Sequence, residues 1–183
     1  MSQKQFSTIV YIGRFQPFHN GHLETIKRAQ SLADQVIVLI GSAFKPRTIK
    51  DPFTYDERRK LIESVFPSRW DDKSLSEWVK VFPLVDNLYN DEAWASQVQD
   101  TVGLNTVWHK PENKTGIIGF EKDESSFYLK MFPQWESVPM ANISGIDASK
   151  IRETYFKDLY ATPSVIPTQT RDFLNVFSTT LDF

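Results

Sequence analysis

The stretch Ser7-Thr8-Ile9-Val10-Tyr11-Ile12, continuing as Gly13-Arg14-Phe15-Gln16-Pro17-Phe18-His19-Asn20-Gly21-His22, decides how the rest of the chain reads. Its first half is an apolar, β-branched run that predicts a buried strand. A helix is predicted over Gly21–Ala33, with Leu23, Ile26 and Ala33 on or near one face. The junction sets an arginine and two histidines at the start of that helix, where free backbone N–H groups and the helix dipole favour an anion. Gly21 lets the backbone approach a ligand closely or take a conformation closed to other residues. The constellation suits a phosphate. A zinc reading of His19 and His22 fails on ligand number, since two are too few and no third is evident nearby. Two of the chain's three histidines fall at this junction, which weighs against incidental surface or capping residues. The third, His109, has no such setting and reads as structural or surface.

Working outward, Gln35–Ile40 is a second strand, nearly all apolar, as a central parallel strand is when both its faces are covered. Thr54–Val65 is a helix opened by the capping box Thr54-Tyr55-Asp56-Glu57. A third strand is predicted over Trp78–Val85, interrupted or ended at Pro83, and a helix over Asp91–Val102. A fourth strand follows over Gly116–Gly119, then a short helix over Ser125–Phe132 that stops before Pro133, then a helix over Ser149–Lys157. This alternation predicts an α/β fold: a doubly wound, mostly parallel sheet with helices on both faces. Such sheets bind ligands beyond the carboxyl ends of their strands. The length of 183 residues fits one domain of about 100–200 residues. That domain is expected over residues 1–160. Residues 161–183 form a tail, broken by Pro163 and Pro167 and able to be helical over Thr170–Val176, that packs on the domain or reaches a neighbouring subunit.

Composition removes several function classes. With 21 Lys and Arg against 23 Asp and Glu, the formal net charge of −2 gives no general attraction for nucleic acid or anionic lipid. The absence of cysteine excludes disulfides, thiolate zinc sites and cysteine nucleophiles. No apolar run approaches the roughly 18 residues of a membrane span, and the opening residues are too polar for a secretory signal. A cytoplasmic protein is expected. The Walker phosphate loop and the Gly-x-Gly-x-x-Gly fingerprint are both missing from the sequence.

His19-Asn20-Gly21-His22 is the His-x-Gly-His signature of the nucleotidyltransferase superfamily, and the longer string from Gly13 to His22 resembles NMN adenylyltransferases of the archaeal type and their Nudix-fused bacterial relatives. The resemblance continues through Ile40-Gly41-Ser42-Ala43, Arg47-Thr48-Ile49-Lys50-Asp51-Pro52-Phe53-Thr54 and Glu57-Arg58. It continues again through Gly119-Phe120-Glu121-Lys122-Asp123-Glu124-Ser125-Ser126-Phe127-Tyr128-Leu129 with Phe132-Pro133 and Trp135, and through Ile146-Asp147-Ala148-Ser149-Lys150-Ile151-Arg152. The late motif departs from its usual form at Asp147, where Ser is usual, and at Ser149, where Thr is usual; both keep a capping oxygen. No Nudix box is present, so Nudix hydrolysis is not expected of this chain, which is either a single-domain member or a fragment.

The resemblance implies the reaction of ATP with NMN to give NAD and pyrophosphate, with Mg²⁺ bridging phosphate oxygens. It implies catalytic roles for Arg14, His19, His22 and Arg152, with His22 favoured at the transition state. It implies ATP contacts at Gly13, Phe15, Gly21, Lys50, Gly119 and Ser149, and nicotinamide contacts at Asp86, Asn90 and Trp94. Lys122 and Asp123 are either ATP-site residues or a solvated pair; Trp94 is either a ring-stacking residue or an ordinary buried helix tryptophan. No nucleic-acid or membrane partner is implied, and a homo-oligomer up to a hexamer is. Two rival readings remain: a related transferase acting on nicotinate mononucleotide, FMN, choline phosphate or phosphopantetheine, and a non-catalytic NAD- or ATP-binding sensor.

Overall fold

The computed structural model describes residues 4–66, 79–106, 114–120, 128–140, 145–158 and 163–180. The elements run β1 (Phe6–Gly13), α1 (Asn20–Leu32), β2 (Ala33–Ile40), α2 (Tyr55–Val65), β3 (Val79–Pro83), α3 (Asp91–Asn105), β4 (Thr115–Gly119), β5 (Glu136–Pro139), α4 (Ala148–Lys157) and α5 (Thr168–Phe177). Five strands pair in the order β3-β2-β1-β4-β5, and every pairing is parallel. The winding direction reverses between β1 and β4, so the crevice past their carboxyl ends is the expected ligand position. The turn after β1 opens onto that crevice.

The apolar runs of β1 and β2 are explained by burial on both faces. Ile9 and Tyr11 of β1, with Val36, Val38 and Ile40 of β2, pack against Ile26 and Ala29 of α1 and Leu61 and Ile62 of α2. The alternate residues Val10, Ile12, Ile37 and Leu39 join Ile117 of β4 and pack against Val98 and Val102 of α3, with Leu129 and Phe132. A third cluster joins Phe53 to Ile151 and Tyr155 of α4, Ile166, and Leu174 and Phe177 of α5. Tyr155 Oη also donates to Leu174 O at 2.8 Å. Helix α5 therefore lies on α4 and on Phe53 of the segment after β2.

Several sequence expectations need correction. The helix predicted to reach Ala33 ends at Leu32, because Ala33 is already extended and pairs with Phe6; no Gly or Pro marks the change. The strand β5 was not foreseen. It is a short edge strand in which only Val138 is buried, so it carries no apolar run. Of the short helix predicted over Ser125–Phe132, the described part is a single 3₁₀ turn at residues 128–130; Ser125 to Phe127 lie outside the described residues. So do Trp78, His109, Lys122 and Asp123.

Candidate active site

Three loops and the starts of two helices, α1 and α4, meet at the carboxyl end of the sheet. The first loop follows β1 and is shaped by aromatic packing. Phe15 sits at φ 53° and lays its buried ring over Gly13, where an added Cβ would come within 2.9 Å of it. The Phe15 ring meets His22 edge-on at 4.8 Å between centroids, and Phe18 stacks on His22 at 5.7 Å. Phe15 and Phe18 thus form a shelf behind the histidines. The Gln16–Pro17 peptide is cis. Gln16 is buried and clamps this loop to the one after β2: its Nε2 donates to Phe53 O at 2.9 Å, and its Oε1 accepts from Phe53 N–H at 3.0 Å.

His19 caps α1, and its ring stacks on that of His22, with centroids 3.6 Å apart and planes 20° apart. His22 Nδ1 accepts from the His19 backbone N–H at 3.3 Å. In the neutral ring that leaves the proton on Nε2, which makes Nε2 a donor for a phosphate oxygen. Gly21 has no positive φ. Its lack of a side chain serves the neighbouring ring, because a Cβ there would lie 3.1 Å from His19 Cε1 and Nδ1. The N–H of Asn20 is taken by Val165 O at 2.9 Å, so a residue of the tail reaches the start of α1.

Five ionic side chains cluster beside this turn: Arg14, Asp51, Arg58, Asp147 and Arg152. Arg14 is exposed, and its Nη1 lies 3.6 Å from Asp51 Oδ1. Arg152 in the first turns of α4 is buried; it donates through Nη1 to Gln16 O and through Nη2 to Ser149 Oγ at 3.1 Å. Asp147 caps α4 by accepting from Ser149 N–H at 2.7 Å, so the departure from the usual motif keeps its capping function. Burial pulls the Arg152 guanidinium below its ordinary pKa, the nearby Arg14 charge adds to this, and Asp51 and Asp147 oppose it. Arg58 of α2 is fully buried and bonds four backbone carbonyls. Nη1 donates to Arg14 O and Gly41 O at 2.8 Å each, Nη2 to Ser42 O at 3.1 Å, and Nε to Thr54 O at 3.1 Å. Burial brings its pKa down to about 10 despite the opposing charge of Asp51, so it stays cationic at neutral pH.

On the β3 side, Asp86 follows the strand, and its Oδ2 receives two donors: Ser42 Oγ at 2.8 Å and Lys45 Nζ at 2.7 Å. Burial alone would raise the Asp86 pKa; the hydrogen bonds and charge of Lys45 and the donors of Ser42 outweigh it and hold the carboxyl below its ordinary range.

The structure thus gathers Arg14, His19, His22 and Arg152 around one turn, with Gly13, Phe15, Gly21 and Ser149 packed into it. Phe15 is buried, and its side chain supports the His22 imidazole. Lys50 is exposed on the loop that carries Asp51. Gly119 ends β4, where a Cβ would meet Leu129 Cδ2 at 3.0 Å, so packing accounts for it. Asn90 spends its side-chain oxygen capping α3, accepting from Ala93 N–H at 2.9 Å. Trp94 packs near Phe132 and Tyr128, with ring centroids 6.1 and 6.4 Å away. Sequence reasoning gave no separate role to Gln16, Ser42, Lys45, Asp51 or Arg58. Their partners are distant in sequence; the quoted family strings contained Gln16, Ser42, Asp51 and Arg58, and nothing in the sequence drew attention to Lys45.

A parallel five-stranded sheet with this turn at its switch point defines a Rossmann-like nucleotidyltransferase. The chain belongs to the cytidylyltransferase-like family, whose model matches residues 10–154. It is 37% identical to a nicotinamide/nicotinic acid mononucleotide adenylyltransferase of Acinetobacter baylyi over 94% of this chain and 87% of that one. It is also 37% identical to a nicotinamide-nucleotide adenylyltransferase of Thermococcus onnurineus, over 51% of this chain and 47% of that one. Among solved structures, a bifunctional NMN adenylyltransferase/ADP ribose pyrophosphatase of Francisella tularensis superposes with TM-score 0.82 at 31% identity, covering 96% of this chain and 51% of that one. The same Francisella enzyme in complex with AMP and a manganese ion gives TM-score 0.76. The chain thus spans about half the length of the bifunctional enzyme. The expected fold and family are both borne out.

Proposed function

We propose that the chain is an adenylyltransferase that joins ATP and NMN to give NAD and pyrophosphate. The observation that carries this reading is the stacked His19–His22 pair at the start of α1, set beside Arg14 and Arg152, which share Asp51 as a counter-charge. An oxygen of the NMN 5′-phosphate attacks the α-phosphorus of ATP. The new P–O bond forms as the bond to the bridging oxygen breaks, and that electron pair leaves with pyrophosphate. A phosphate is already a nucleophile, so the residues supply alignment and charge stabilisation. His22 donates from Nε2 to the crowded α-phosphate, His19 and Arg14 hold the triphosphate, and Arg152 with the N–H groups of α4 takes the leaving group.

Gly13, Phe15, Gly21, Lys50, Gly119 and Ser149 shape or line the ATP side, and Asp86, Asn90 and Trp94 the nicotinamide side. A divalent cation, read as Mg²⁺, would neutralise the triphosphate. Among the described residues no group of three or more His, Asp or Glu could hold a metal; a cation held by phosphate oxygens and water fits this site. The domain is read as residues 1–160 with the tail as an appendage, in a cytoplasmic protein that assembles with copies of itself. No described helix is long and apolar enough to cross a membrane.

Pyrophosphate release from ATP with NMN tests the reading, and His22→Ala should cut turnover by on the order of a hundred-fold or more, with ATP affinity in calorimetry changing far less. Equal losses in both would leave His22 a binding residue only. A folded wild type that binds NAD but releases no pyrophosphate would be a sensor.

A further inference from the structure

The Lys45–Asp86 pair lies at the carboxyl ends of the adjacent strands β2 and β3, on the side assigned above to the nicotinamide ring. Ser42 Oγ and Lys45 Nζ converge on the same oxygen, Oδ2. An ionised carboxylate has about four lone-pair sites, so Asp86 keeps acceptor capacity for a carboxamide NH₂, which is what a neutral amide needs. A carboxylate on the ring poses the opposite problem. Beside an isolated Asp86 anion about 4 Å away, repulsion at an effective dielectric constant near 20 would disfavour it on the order of a thousand-fold. Lys45 removes that obstacle. Its ammonium cancels the Asp86 charge, and a lysine carries three donors on a flexible stem. One can stay on Asp86 while another meets a substrate carboxylate.

We infer that Lys45 is a specificity-determining residue: its ammonium beside Asp86 sets how well the mononucleotide site takes the deamidated substrate, nicotinate mononucleotide, relative to NMN. The inference rests on the adenylyltransferase reading and on Asp86 facing the ring. The bond changes at phosphorus are the same for both substrates; the product is the deamidated dinucleotide and pyrophosphate.

The test compares the full-length wild type, Lys45→Met and Lys45→Arg, each checked for an unchanged thermal midpoint. kcat/KM is measured for each mononucleotide with saturating ATP and Mg²⁺. The wild type should use both. Lys45→Met should lower nicotinate mononucleotide at least about ten-fold while NMN stays within about two-fold, a smaller effect than the unscreened limit because both groups are partly exposed. Lys45→Arg should restore the ratio. Raising salt should erode nicotinate mononucleotide use in the wild type and leave the ratio of Lys45→Met nearly unchanged.

An unchanged ratio in Lys45→Met, or a wild type that uses NMN alone, overturns the inference and leaves the adenylyltransferase reading standing. If the folded wild type releases no pyrophosphate with either mononucleotide, that reading falls. The equilibrium affinities of the two mononucleotides then decide the inference by the same ratio, and binding of neither overturns it too.

Discussion

At the scale of single residues, Gly21 shows how a motif position can be fixed by its neighbour. The sequence suggested a special backbone conformation or close approach of a ligand; the structure gives an ordinary helical glycine whose hydrogen faces the His19 ring. Gly21→Ala should therefore leave stability level or slightly raised, because alanine favours a helix by up to about 1 kcal/mol over glycine. It should lower kcat by about ten-fold, because the His19 ring must shift and small misplacements are costly in alignment. Parallel thermal melts and turnover assays check this. Loss of both stability and activity would mean that the turn cannot yield.

Elements are held to one another by charged groups that no local pattern announces. Arg58 on α2 reaches the backbone of the loops after β1 and β2, so removing it strands four carbonyls. Arg58→Met should destabilise the chain by about 3–5 kcal/mol, and Arg58→Lys by less, in urea unfolding. The α2 cap has a different signature. Glu57 takes both Arg47 Nη1 and Nη2 at 2.8 Å and the Thr54 N–H at 2.8 Å. Burial would raise its pKa, but these partners outweigh burial and hold it below the ordinary 4.5. A carboxyl with a lowered folded pKa adds stability that is present in full above its unfolded value and lost as pH falls from there through the folded value. Thermal midpoints should thus drop between about pH 5 and the folded pKa, and Glu57→Gln should be less stable at neutral pH and show a shallower acid decline. An identical acid slope in Glu57→Gln would mean other carboxylates carry it.

What was legible in the sequence follows from how local each signal is. β1 and β2 stand out because both faces are buried, and the box Thr54 to Glu57 is a four-residue device that forms as read. β5 was missed because an edge strand needs no apolar run. The histidine turn was legible because its parts are contiguous. The clamps by Gln16 and Arg58 were not, since each joins residues 16 to 44 positions apart, apart from the local Thr54 contact.

At the scale of the whole molecule, the third hydrophobic cluster fastens α5 to α4 and Phe53, and Arg47 lies over the Phe177 ring at 5.4 Å. Leu174→Ala should cost about 2–5 kcal/mol and also weaken ATP binding, because the segment after β2 rests on this cluster. A purely thermal effect, with ATP affinity intact, would show that α5 is a passive buttress.

The Val165 carbonyl on Asn20 and the Arg152 donor to Gln16 have a consequence for the chain as it is made. The histidine turn emerges from the ribosome early and the groups that complete it emerge late. At about 5–20 residues per second, that interval lasts roughly 7–30 s. Until it ends, a nascent polypeptide carries its imidazoles without the guanidinium and the strap that finish them, so competence waits until Arg152 and Val165 have been made.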